Sequence, residues 1–296
     1  MYITEYRKAL AMGQKEARWH KSHGFSPYLP VLDEILAEEE TCGEVDLGLV
    51  EIPLDLIVGT EFSGRSLSFS HSFKPLLDED SEFASKWMAL CQAHMNEGIL
   101  EPIKVHEYMH TFYVREGHKR VSVLRYFGVD RIPAYATRIM PVRSEARASK
   151  IYYEFVEFYR LSGINYIWLS GVGRYARLQA AACKQPEEVW SEQARKDFYY
   201  FYLNFSSAYK AKSARELDGY ITMGDALLLF LEYFNYDEVK GFTPTEIRSH
   251  FVQLRELFPT QFSLEEYAKK LLQWLSSPVR SVAEAAEAML HRTDGE

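Results

Sequence analysis

The chain has 296 residues, 47% hydrophobic and 26% charged, a composition that excludes wholesale disorder and the fibrous classes. At about 150 residues per domain, that length suggests two domains. Thirty-four Lys and Arg against 42 Asp and Glu leave a net charge of -8, which argues against nucleic-acid binding by bulk charge but not against a local basic site. Aromatic content is high, with 20 Tyr, 18 Phe and 5 Trp, and suits helix packing and interfaces. Cys42, Cys91 and Cys183 form no CxxC pair and read as reduced thiols. The start of the chain has no secretory apolar region, and no apolar run approaches the roughly 18 residues of a membrane span. The expectation is a cytoplasmic, bacterial-type protein with no membrane partner.

Residues 1–45 read as an N-terminal helical arm and acidic linker: Tyr6, Leu10, Glu16 and Trp19 suggest a short helix, then a loop at 23–30. Between Asp33 and Glu51 there are eight acidic residues and no Lys or Arg, a stretch read as a solvated linker or helix face. Residues 46–142 change to short β-type runs mixed with helices. A strand is predicted at 52–58, a polar loop at 59–71, and a helix at 81–97 with Phe83, Trp87, Leu90 and Ala93 on its apolar face. Two strands follow at 103–107 and 111–115, then Gly117, a helix at 118–127 stopped by Gly128, and a strand at 132–138. The fold class is α+β: a small mixed-sheet domain with an N-terminal arm and, at 143–296, a C-terminal all-α domain. In that last part, helices are predicted at 152–161, 187–209 and 225–234. Capping boxes at Thr243 with Glu246 and at Ser263 with Glu266 open two more, and an alanine-rich acidic helix comes last.

One segment concentrates chemistry. From Arg115 to Lys150 there are nine Lys or Arg and three Asp or Glu, a balance of +6. Within it a strand, Gly117 and a helix start carrying Lys119 and Arg120 outline an anion site: free N–H groups and the positive end of the helix dipole, a glycine for close approach, and formal charge. Read as structure alone, Gly117 makes a turn while Lys119 and Arg120 are solvated. His118 could donate to a phosphate oxygen or act as acid or base, or be a polar surface residue. His20, His23, His106 and His110 have no ligand spacing, so no metal site is expected.

The box Gly117-His118-Lys119-Arg120, followed by a strand beginning Ile132-Pro133, resembles the G-x-x-R box of the ParB/sulfiredoxin superfamily. The resemblance extends upstream to Glu51-Ile52-Pro53-Leu54 and to Gly98-Ile99-Leu100-Glu101-Pro102-Ile103-Lys104-Val105, and covers roughly residues 45–140. It implies a small nucleotide-binding fold in which Gly117, His118, Lys119 and Arg120 cradle the phosphates of a nucleoside triphosphate, CTP or ATP, with Mg2+ carried by the nucleotide. The loop at 59–65 corresponds to the family's first box, which implies Arg65 as a phosphate clamp and Glu61 as the base of the kinase branch. Sulfiredoxin chemistry needs a cysteine where this chain has His118, and that reading fails. DNA-segregation clamps carry a Glu-Asn-x-x-Arg motif on a following helix; here Glu154 to Arg160 is a loose echo without the asparagine.

Two functions follow from the resemblance. In the first, the protein is a ParB-like nucleotide-dependent regulator acting on DNA or on a protein partner met through its C-terminal helices. In the second, the same site serves an NTPase, a small-molecule kinase or a nuclease, with Glu61 and His118 as catalytic groups. A third reading is an interaction module with a vestigial phosphate site. A homodimer through the aromatic helices is the ordinary oligomer to expect.

Overall fold

The computed structural model of the chain describes residues 2–211 and 222–255. The capping box at Ser263 and the alanine-rich helix lie outside the described residues. The chain divides into two compact units, one up to Val142 and the other from Arg143.

The first unit is mixed α+β. Helices α1 (Ile3–Ser22) and α2 (Leu32–Leu36) lead into strand β1 (Thr41–Pro53). A single 3-10 turn (Leu54–Leu56) joins it to β2 (Ile57–Thr60), which α3 (Ser63–Ser66) and α4 (Glu82–Glu97) follow. Then come β3 (Ile103–Tyr108), β4 (Thr111–Glu116), α5 (His118–Tyr126) and β5 (Arg131–Pro141). The five strands lie in the order β1-β5-β3-β4-β2. The β2–β4 and β3–β5 pairs are parallel; β1–β5 and β3–β4 are antiparallel.

Two expectations are corrected here. The strand predicted at 52–58 is broken, because Pro53 ends β1 and the chain turns before β2 begins. The half-buried Arg125 holds that turn by donating to the carbonyls of Leu54 and Ile57, the latter at 2.6 Å. The acidic stretch is only partly helix face and linker: Asp33 and Glu34 lie on α2 and Glu38, Glu39 and Glu40 in the connection after it, but Glu44, Asp46 and Glu51 belong to β1, an edge strand paired with β5. An edge leaves its acidic side chains in water, so the charges cost little there.

The first 45 residues supply core as well. Tyr6, Ala9 and Leu29 are buried in one cluster with Trp87, Ile103, Val114, Val121 and Ala136. Gly13 lets α1 close on residue 75, since a Cβ there would sit 2.4 Å from the Pro75 carbonyl oxygen. On α4 the buried face is Phe83, Ala84, Trp87 and Cys91, while Ala93 is exposed. Trp87 is fully buried and its indole N–H donates to Ser122 Oγ at 2.9 Å, which fixes α4 against α5. Removing that ring would cost about 3–5 kcal/mol.

The second unit is helical: α6 (Arg147–Ser162), α7 (Arg174–Ala181), α8 (Glu192–Lys210), α9 (Met223–Tyr233), α10 (Tyr236–Val239) and α11 (Pro244–Arg255). Its aromatic rings pack on one another, with Phe198, Phe201, Phe205, Phe230 and Phe251 all buried. Edge-to-face contacts such as Phe205–Phe230 at 5.5 Å and Trp190–Phe198 at 5.1 Å build this core. The capping box of α11 forms: Glu246 accepts from the Thr243 N–H at 2.8 Å, and Thr243 Oγ1 accepts from the Glu246 N–H at 3.4 Å. Among the described residues, no helix is long and apolar enough to cross a membrane.

Candidate functional site

Parallel strands β2 and β4 end side by side, at Thr60 and Glu116. The carboxyl ends of adjacent parallel strands are where α/β sheets place ligands. Here α3 follows one strand and α5 the other. Thr60 ties the two exits together: its Oγ1 lies 2.8 Å from His118 Nε2 and 3.2 Å from the Phe62 carbonyl. Gly117 precedes α5 at φ +108°, a conformation that favours glycine, and a Cβ there would meet Ile103 Cγ2 at 2.4 Å. The helix therefore starts against the sheet, and no side chain caps it.

The structure gives the cradle residues different work. His118, 8% exposed, is packed under the strand exits with its ring stacked on Phe69 at 6.0 Å. Burial, then the charges of Arg65 and Lys119, push its pKa down to about 4, so the ring is neutral near pH 7 and acts as a tie. Arg120 is turned back to the chain: Nη1 donates to the Pro102 carbonyl at 2.8 Å and Nη2 lies 2.7 Å from Glu101. Lys119 and Arg65 are the cations left over. Lys119 lies over the Phe83 ring at 4.8 Å, Arg65 is exposed on α3, and neither makes an ion pair with a described residue. Burial, then Arg65 and Lys86, hold the Lys119 ammonium below its usual range, against the opposing charge of Glu82.

Glu61 belongs to a second cluster beside the first. Its main chain is pinned by N–H donation to the Val114 carbonyl at 2.9 Å and by acceptance from the Asp33 N–H at 3.2 Å. Its carboxylate, in a residue 8% exposed, sits 3.5 Å from His106 Nδ1 and 3.4 Å from Arg115 Nε, and Oε2 has no hydrogen-bond partner. Burial raises the pKa of Glu61; His106 and Arg115 oppose the shift, while Asp33 and Glu44 add to it. The charges on Glu61 thus come from β1, α2, β3 and β4, whereas those on Lys119 come from α3 and α4.

Sequence reasoning missed Thr60, His106 and Arg115. His106 and Arg115 read as strand positions, and only pairing of β3, β4 and β2 brings them to Glu61. Four of the nine basic residues behind the local balance of +6 are engaged within the first unit. Arg120 and Arg125 serve backbone carbonyls, Arg131 donates to the Glu51 carbonyl, and Arg138 forms a buried pair with Glu107. Among the described residues no group of three or more His, Cys, Asp or Glu could hold a metal ion. A groove of about 330 Å³ lined by Arg18, Lys21, Tyr28 and Leu76 and another of about 540 Å³ beside Cys183 include none of these residues. In comparisons with family models, curated proteins and solved structures, nothing matches the chain.

Proposed function

We propose that the first unit is a ParB/sulfiredoxin-like module that binds the phosphates of a nucleoside triphosphate, CTP or ATP with Mg2+, at the start of α5, and that its occupancy regulates action on DNA or a protein partner. The observation that carries this reading is that Arg65 and Lys119, neither in an ion pair with a described residue, both bear on the charge of His118 at the uncapped start of α5, which Gly117 holds against the sheet. Free N–H groups and two cations there suit the oxygens of a phosphate chain. His118 and Arg120 shape the cradle from behind. Calorimetric titration with ATP, CTP, ADP and GTP plus magnesium tests it. Arg65→Ala and Lys119→Ala are each expected to weaken binding by about 10- to 100-fold, the worth of one hydrogen bond to a charged group. Absence of wild-type binding at millimolar nucleotide would overturn the reading.

A second reading is favoured by Glu61 alone. A buried carboxylate with a raised pKa, whose Oε2 accepts no hydrogen bond and has Arg115 Nε at 3.4 Å, is equipped to accept a proton from a water or hydroxyl attacking a phosphate, as phosphoryl transfer or phosphodiester hydrolysis requires. In that case Glu61→Gln abolishes turnover and leaves nucleotide affinity within about twofold.

A further inference from the structure

Two grooves, one in each unit, differ in how they treat their own charges. The groove beside Cys183 is lined by both Arg177 and Glu232, and Arg177 Nε donates to Glu232 Oε1 at 2.6 Å, so that groove supplies its own anion. The groove of the first unit, about 330 Å³, is lined by Arg18 and Lys21 of α1 and by Tyr28, with no acidic side chain among its lining residues. Volumes from about 300 Å³ upward are those of small-ligand sites. Neither Arg18 nor Lys21 makes an ion pair with a described residue. Arg18 Nε donates to the Gln14 carbonyl at 3.2 Å, which leaves both Nη groups for another acceptor. Glu16, the acid closest to them along α1, is engaged elsewhere: it accepts from Ser70 at 2.6 Å and Ser72 at 2.7 Å and pairs with Lys74 at 3.1 Å.

Those same bonds fix the groove. They tie α1 to the segment that carries Leu76, whose N–H donates to the Ser68 carbonyl at 3.1 Å. Tyr28 is bridged to Ser70, and the His71 N–H donates to the Pro27 carbonyl at 3.0 Å. The walls are therefore set before any ligand arrives, which lowers the cost of binding. Ala17, Pro27 and Leu76 make part of the lining apolar, while the half-exposed Tyr28 adds a hydroxyl that makes no hydrogen bond with a described residue. A bare inorganic ion would leave the apolar walls in water, and a neutral apolar molecule would leave the cations without a partner. A carboxylate with an apolar body satisfies both, since its two oxygens match the fork of a guanidinium.

We propose that this groove binds a small carboxylate with an apolar body, its charge on Arg18 and Lys21 and its body between Tyr28 and Leu76, independently of the phosphate site at α5. The test titrates the full chain, followed by NMR, with 3-phenylpropionate, its neutral counterpart 3-phenylpropanol, and acetate. Millimolar 3-phenylpropionate should shift the resonances of Ala17, Tyr28 and Leu76 and bind about tenfold or more tightly than the alcohol, the worth of one hydrogen bond to a charged group. Acetate, which has no body to bury, should also bind about tenfold more weakly. Arg18→Ala and Lys21→Ala change exposed side chains and should each lower 3-phenylpropionate affinity by about tenfold with unchanged thermal unfolding. No shift at the groove, equal binding of acid and alcohol, shifts centred on α5 instead, or full affinity in the double variant would each overturn the site.

Discussion

Two helices of this protein start in the same way and end up with opposite chemistry. Both α5 and α7 follow a glycine in the left-handed region, Gly117 at φ +108° and Gly173 at φ +79°, and both carry basic residues in their first turn. At α7 the chain supplies the anion itself. The Glu154 carboxylate accepts from the Gly173 N–H at 2.7 and 2.8 Å, and Arg174 pairs with the buried Asp225 at 2.8 Å and donates to Ser170 Oγ at 2.9 Å. At α5 no side chain caps the start, and Lys119 and Arg65 make no ion pair with a described residue; the acid that bears on Lys119, Glu82, is paired with Lys86. A helix start with its own carboxylate is a structural joint; one without it offers its N–H groups and dipole to an outside anion. The comparison also accounts for the loose motif echo at residues 154–160: Glu154 caps α7 and Arg160 pairs with Glu157, within the helical unit.

The sharpest way to break this contrast is at the arginine of α7. Arg174→Ala leaves Asp225, 3% exposed, with Ser170 alone, and should destabilise the helical unit by about 3–5 kcal/mol in urea unfolding. Nucleotide affinity of that variant should not change. If Arg174→Ala instead weakened binding and spared stability, the roles assigned to the two helix starts would be reversed.

The next effect concerns His118. An imidazole whose pKa falls from 6.5 to about 4 on folding is neutral in the native state, so its contribution is complete above pH 6.5 and is lost as pH drops below that value. About 2–4 kcal/mol should disappear between pH 6.5 and 4 in the wild type beyond what His118→Gln loses. Parallel stability profiles of the two proteins would show that the ring is a charged phosphate contact rather than a buried tie.

The smallest difference separates the two glycines. Gly173→Ala meets open space and bears only the cost of its backbone conformation, about 1 kcal/mol, whereas Gly117→Ala must also displace Ile103 and should cost about 2–3 kcal/mol. Thermal unfolding of the pair measures this, and equal shifts would mean that α5 does not start as tightly against β3 as the distances indicate.

Local pattern made much of this legible. The period of residues 81–97, Ser81 ahead of α4, Gly128 behind α5 and the Thr243 box are each written within a few residues, because caps and amphipathic faces are short-range physics. Helix α7 escaped notice, since its eight residues follow a glycine loop and show no long apolar stripe. The break between β1 and β2 escaped for another reason: Arg125, some 70 residues later, holds it.

By itself the sequence determined an α+β unit followed by helices, the position of Gly117 at a helix start, and a concentration of basic residues next to it. Which of those residues are already engaged within the fold was decided by tertiary structure. Charge is a property of a side chain, but its availability depends on which carbonyls and carboxylates the fold brings within reach. Pairing of β2 with β4 put Thr60 on His118 and Glu61 on Arg115, the entry to β3 gave Arg120 to Pro102 and Glu101, and Arg65 and Lys119 were left without an ion pair among the described residues.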